Sequence, residues 1–136
     1  MKIASSPMLP SQATAHAKFW AIFFNDAHTA AMPAEWQHEL SNYLFHGFTP
    51  GSFHDSLFAN DLFSATSLSH PANEWHWIQS FMYFLFHYAP TESWGSRAKV
   101  KAWLKLSEAD RFELCHAKNL VMTDAEVTWH TVATSR

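Results

Sequence analysis

One cysteine, three glycines and no lysine or arginine from Phe19 to Ser96 are the scarcities that first define this 136-residue chain. A lone Cys115 excludes an intrachain disulfide and fits a reducing compartment. Gly47, Gly51 and Gly95 stand far apart, so no glycine-rich loop is present to cradle a phosphate. Long hydrophobic runs are also missing. The most apolar segment, Trp75 to Ala89, is too short to span a bilayer and contains Gln79, Ser80 and His87. It reads as a buried helix. Pro7, Pro10 and several serines interrupt the N-terminal segment where a secretion signal needs an apolar core, so no such signal is expected.

The missing cations make the charge lopsided. Asp26, Glu35, Glu39, Asp55, Asp61, Glu74 and Glu92 lie in the cation-free stretch, whereas seven of the nine basic residues come at or after Arg97. A net charge of −3 and a pI near 6.3 say little alone, but this asymmetry gives the molecule an acidic part and a basic part.

What is abundant is aromatic: twelve Phe, seven Trp and three Tyr. That is more ring surface than a small core easily hides, so some of it is expected outside. Gly and Pro are too few, and biased tracts too absent, for extensive disorder. The length suits one domain.

Periodicity and capping residues predict helices near 13–26, 33–46, 53–67, 72–88, 97–105 and 108–118. Pro33 suits a first helical turn, and Trp36, Leu40, Tyr43 and Leu44 then form one apolar face that stops at Gly47. Ser52 is placed to cap the third helix, Ser96 the fifth, and Ser107 with Asp110 the sixth. The expected class is all-α: a compact bundle of five to six short helices, residues 11–118, between a loose arm over 1–10 and a tail over 119–136. The tail reads equally as a short helix or as a β-rich or irregular segment. Strand propensity at Trp75-His76-Trp77 and Val127–Val132 leaves room for an edge hairpin. Trp36, Phe53, Leu57, Leu62, Ile78, Phe81, Leu85, Trp94 and Trp103 are the expected core.

Ten histidines raise the question of a metal, but no two share the i, i+3 or i, i+4 spacing that brings ligands together on a helix. His76 and His87 lie on one helix face yet roughly 16 Å apart by helix rise. No metal and no cofactor is therefore expected. Cys115 beside His116 has no acid partner in view and reads as a buried structural thiol, so no enzyme is expected either. Asn60-Asp61 is the one polar pair inside an apolar helix, read as a hydrogen-bonded anchor or as a contact site. Arg97, Lys101 and Lys105 stack on one helix face. They offer an alternative reading, a nucleic-acid-binding regulator with Arg111 and Lys118 alongside, against which stands the otherwise cation-poor chain.

The run Gly47…Pro50-Gly51-Ser52-Phe53, Asn60-Asp61-Leu62, Ala89-Pro90, Trp94-Gly95-Ser96 and Ala102-Trp103-Leu104 resembles a family of small phage and prophage proteins. The resemblance covers about residues 30–105. His87-Tyr88 stand where the family tends to carry Asn-Glu before Ala-Pro, and residues 106–136 look like an addition. The resemblance implies a phage-encoded protein acting in the cytoplasm of an infected bacterium. Together with the excess aromatics it suggests a non-catalytic inhibitor of a host protein or ribonucleoprotein complex, a defence system such as CRISPR–Cas (an anti-CRISPR) foremost. Direct nucleic-acid binding and membrane association are not expected, while a homodimer is possible on this reading. A central helix apolar on every side should leave one face for the partner; Trp75, Trp77, Phe84 and Tyr88, with His87 beside them, are the expected contact residues.

Overall fold

The computed structural model describes residues 14–134, with side chains as far as Trp129; the expected arm over 1–10 lies outside the described residues. Among the described residues the chain forms nine α-helices and no strand. They are α1 (Ala17–Asn25), α2 (Ala27–Ala30), α3 (Ala34–His46), α4 (Ser52–Phe58), α5 (Leu62–Leu68), α6 (Trp75–Tyr88), α7 (Arg97–Lys105), α8 (Glu108–Ala117) and α9 (Asp124–Thr134). A 3₁₀ turn, Thr91–Ser93, joins α6 to α7. The all-α bundle expected from periodicity is present, and the edge hairpin is not: Trp75-His76-Trp77 opens α6.

Capping chemistry sets several boundaries. Asp26 leaves the helical region and accepts the His28 N–H at 3.0 Å, ending α1 and starting α2. Gly47, left-handed at φ 66°, closes α3. Ser96 and Ser107 each accept the backbone N–H three residues on, as their positions predict. The tail resolves as helix: Thr123 and Glu126 exchange backbone-to-side-chain hydrogen bonds at the start of α9. This is the capping box Thr-Asp-Ala-Glu, a signal present in the sequence. Leu120, Val121 and Met122 are buried ahead of it, so this stretch is core rather than appendage.

One expected helix breaks in two. Instead of a continuous 53–67, Asn60 adopts a left-handed φ of 59° and Asp61 caps a second helix by accepting the Ser64 N–H at 3.0 Å. Asn and Asp suit these two positions because both tolerate the backbone conformations a helix interior forbids. Leu62 accordingly leaves the expected core and is 50% exposed. Phe53 and Trp94 are half-buried; Trp36, Leu57, Ile78, Phe81, Leu85 and Trp103 are buried as predicted.

The core centres on α6. Phe81 packs against Phe58 of α4 and Trp36 of α3, while Phe84 packs against Phe19 and Phe23 of α1. A buried polar thread crosses the other side: Trp103 Nε1 donates to the Tyr43 carbonyl at 3.1 Å, and the Tyr43 hydroxyl donates to the Ser93 carbonyl at 2.7 Å. It ties α7, α3 and the 3₁₀ turn together without an unpaired group at any of these contacts.

Candidate partner-binding site

The two short helices α4 and α5 form an elbow at Ala59-Asn60-Asp61, and α7 braces it. Arg97, the first residue of α7, donates to Asp55 at 2.9 Å and to Asp61 at 2.8 Å. The Gly95 N–H donates to the Phe58 carbonyl at 2.8 Å. The Ser64 N–H and then Arg97 hold the Asp61 carboxyl down at about 2, so it is a fixed negative acceptor. Asn60-Asp61 is thus an anchor, but one at a surface corner rather than inside a helix; the Asp61 side chain is 32% exposed. Asn60-Asp61 and the Trp94-Gly95-Ser96 segment that leads into α7 meet at this corner.

Beside the elbow opens a pocket of about 180 Å³ against α6. Leu57, Ile78 and Met82 form its floor, and Leu62 and Trp75 stand on its rims. Asp61 is the only ionisable side chain among the residues lining it, and as a salt-bridged cap it is poorly placed to move protons. What the pocket offers is apolar surface edged by amide and carboxylate oxygen. Of its lining residues Leu62 and Trp75 are exposed apolar side chains, and α5 also exposes Phe63 (83%) and Leu68. Ala65 is the only fully buried residue of α5, so this helix displays far more apolar surface than it uses for docking.

Helix α6 does leave one face open, but a different one from that expected. Trp75, Gln79 and Phe86, at i, i+4 and i+11, are exposed along it, with the half-buried Met82 between the last two and Phe86 69% exposed. Phe84 is fully buried beneath α1 and is no contact residue. Trp77 is half-buried edge-on to Trp36. Tyr88 is half-buried and donates its hydroxyl to Asp26, which pushes the phenol up to about 12. His87 is exposed and lies 4.1 Å from the Tyr83 ring. Of the five expected residues only Trp75 reaches the pocket. Gln79 is exposed on this side, but Ser80 next to it is polar and buried, so polarity in this turn did not by itself mark the solvent side.

The basic helix is less free than its sequence suggests. Arg97 is shared by two carboxylates, and Lys99 donates to the Thr91 carbonyl, while Lys101 and Lys105 point outward and are exposed. Arg111, grouped with them from sequence, is buried against Gly47 and donates to the Leu106 carbonyl.

A second pocket of about 380 Å³ lies between α3, α8 and the start of α9. His16, Phe45, His46, Glu108 and Phe112 are among its lining residues. Burial pushes the His16 imidazole down to about 4, so the ring is neutral near pH 7. Among the described residues no three His, Cys, Asp or Glu side chains group as a metal shell. Cys115 is buried, and the low-dielectric surroundings push its thiol up to about 12, far from a reactive thiolate. Among the described residues no helix is long and apolar enough to cross a membrane. No family model, curated protein or solved structure matches the chain.

Proposed function

We propose that this chain is a non-catalytic binding protein that seats a partner protein on the elbow pocket and the open face of α6. The observation that carries the reading is the half-exposed pair Leu62 and Trp75 bordering one apolar pocket, with Phe63 and Leu68 exposed on the same short helix as Leu62. Solvated apolar surface of this kind is costly to keep exposed, and burying aromatic anchors is how small interfaces gain affinity. The resemblance to small phage proteins supports a finer form: a phage-encoded inhibitor that occupies part of a host complex, with CRISPR–Cas-type defence as the target class. The acidic stretch from Phe19 to Ser96 suits occlusion of a basic groove that otherwise holds nucleic acid.

The test is to express the chain in bacteria with an active CRISPR–Cas system and to score phage survival, beside the Phe63→Ser and Trp75→Ala variants. Protection by the parent chain and its loss in folded variants is the expected result. Equal protection by all three places the interface elsewhere, and no protection against any system removes the inhibitor reading.

A further inference from the structure

His16 stands where α1 begins, the position at which Ser, Thr, Asn or Asp would bond the first backbone N–H groups, yet its side chain makes no such bond. The ring stacks instead on Phe45 of α3, 4.3 Å away. Only 8% of the residue is exposed, and its Nδ1 has no hydrogen-bond partner. A phenylalanine would fill the same stack without leaving a buried polar atom unmet, so packing alone does not explain this histidine.

The second pocket lies against this ring. Its volume of about 380 Å³ falls in the range of roughly 300–1,000 Å³ usual for small-molecule sites, whereas the elbow pocket at about 180 Å³ falls below it. Phe45 and Met122 are buried beside His16, and Phe112 of α8 is half-buried, so the walls are largely rings and a thioether. Formal charge is confined to the outer edge. Glu108 and Asp124 are exposed there, each at the start of a helix whose N-terminal dipole offsets part of its charge. Burial keeps His46, 3.9 Å from Glu108, below the ordinary histidine range, and Arg111 adds to that effect. The inner part of the pocket therefore holds no charge to meet an ion. A neutral imidazole offers instead one nitrogen that accepts and one that donates.

We propose that this pocket binds an uncharged, flat nitrogen heteroaromatic whose ring N–H bonds the His16 imidazole. Nucleotides and aromatic acids fit less well, since their phosphate or carboxylate would meet Glu108 and Asp124 at the edge. The site shares no lining residue with the elbow pocket, so it is independent of the partner-binding reading.

The experiment uses the full chain and three probes built on one ring shape: indole, indene (which lacks the N–H) and indole-3-carboxylate (which adds a negative charge). Binding is read by calorimetry and by the ¹³C-methyl signal of Met122, assigned with Met122→Leu. The expected result is saturable binding of indole that moves the Met122 signal, about ten-fold tighter than either other probe. In His16→Phe, which keeps a ring on Phe45, indole should lose about ten-fold and bind no better than indene. Ala109→Trp, at an exposed position in the first turn of α8, should close the pocket and abolish binding with the circular dichroism spectrum unchanged. Indene matching indole, a Met122 signal that no probe moves, or binding that survives Ala109→Trp overturns the proposal. So does indole-3-carboxylate binding as tightly as indole, since the pocket would then not select an uncharged ring. Should His16→Phe fail to fold, the indole–indene difference and Ala109→Trp decide alone.

Discussion

Gly47 and Arg111 share one space: a Cβ built on Gly47 would lie 2.6 Å from the central carbon of the Arg111 guanidinium. Gly47 also takes a left-handed φ of 66°, so two independent constraints meet at the end of α3. Gly47→Ala should therefore cost about 1–2 kcal/mol for the backbone conformation alone, plus whatever moving the buried guanidinium adds. Urea unfolding of Gly47→Ala in the Arg111 and Arg111→Met backgrounds separates the two. The cost should shrink toward the backbone component when the guanidinium is gone. An unchanged cost would mean that Arg111 yields freely and only φ matters.

Asp26 accepts hydrogen bonds from the hydroxyls of Tyr83 and Tyr88 and from the His28 backbone N–H, tying the α1–α2 corner to α6. The Tyr88 bond is the main reason its carboxyl titrates below the ordinary range. Hydrogen bonds to charged acceptors are the stronger kind, so Tyr88→Phe should destabilise by roughly 1.5–3 kcal/mol. Asp26→Asn should weaken the same contact, and the double variant should cost less than the sum of the two. Additive costs would show that the two groups act independently.

Helix starts at Ser96 and Ser107, and the stop at Gly47, were legible because each rests on a local side chain or a local φ. The break at Asn60 was not, because Phe53, Leu57, Leu62 and Phe63 keep a helical apolar rhythm across it. Only the dipeptide itself, one residue tolerant of positive φ followed by a capping carboxylate, carried the information. That α6 keeps an exposed side was legible, but not which side it is. A helix that is apolar all round must leave some face uncovered, yet its own sequence cannot say which side its neighbours take. Phe84 and Phe86 look alike in the chain; α1 buries the first and nothing among the described residues buries the second.

Acid should weaken the fold in two separable ranges. Burial holds the imidazoles of His16 and His54 down at about 4, whereas an unfolded histidine titrates near 6.5. Below 6.5 the unfolded chain takes up protons that the folded chain refuses until about pH 4, so stability falls across that interval as pH drops. For His16 the loss is on the order of 1–3 kcal/mol. Asp61 and Glu126, both held at about 2, add a second loss that sets in as pH falls through the ordinary carboxylate range, where the unfolded chain takes up these protons, and runs on down to about 2. His16→Phe keeps a ring against Phe45, which now stacks at 4.3 Å, and removes the proton site. Its stability, measured by denaturant titration from pH 7.5 to pH 4, should vary less steeply than that of the parent. An identical slope would remove His16 from the account.

The elbow at Asn60-Asp61 is held by a cap and by an ion pair, and the two differ in strength. Arg97 is 53% exposed and its carboxylate partners about a third exposed, so solvent screens the pair and it adds little net stability. The cap on Ser64 is worth about 1 kcal/mol and needs an acceptor oxygen rather than a charge. Asp61→Asn should accordingly cost little, Asp61→Ala clearly more, and Arg97→Met no more than Asp61→Asn. At Asn60, with its φ of 59°, Gly should be tolerated while Val should cost about 1–2 kcal/mol. Equilibrium unfolding of the five variants decides the matter. If Asp61→Asn proves as damaging as Asp61→Ala, the charge pair with Arg97 and not the cap sets the angle between α4 and α5, and with it the width of the pocket that Leu62 and Trp75 border.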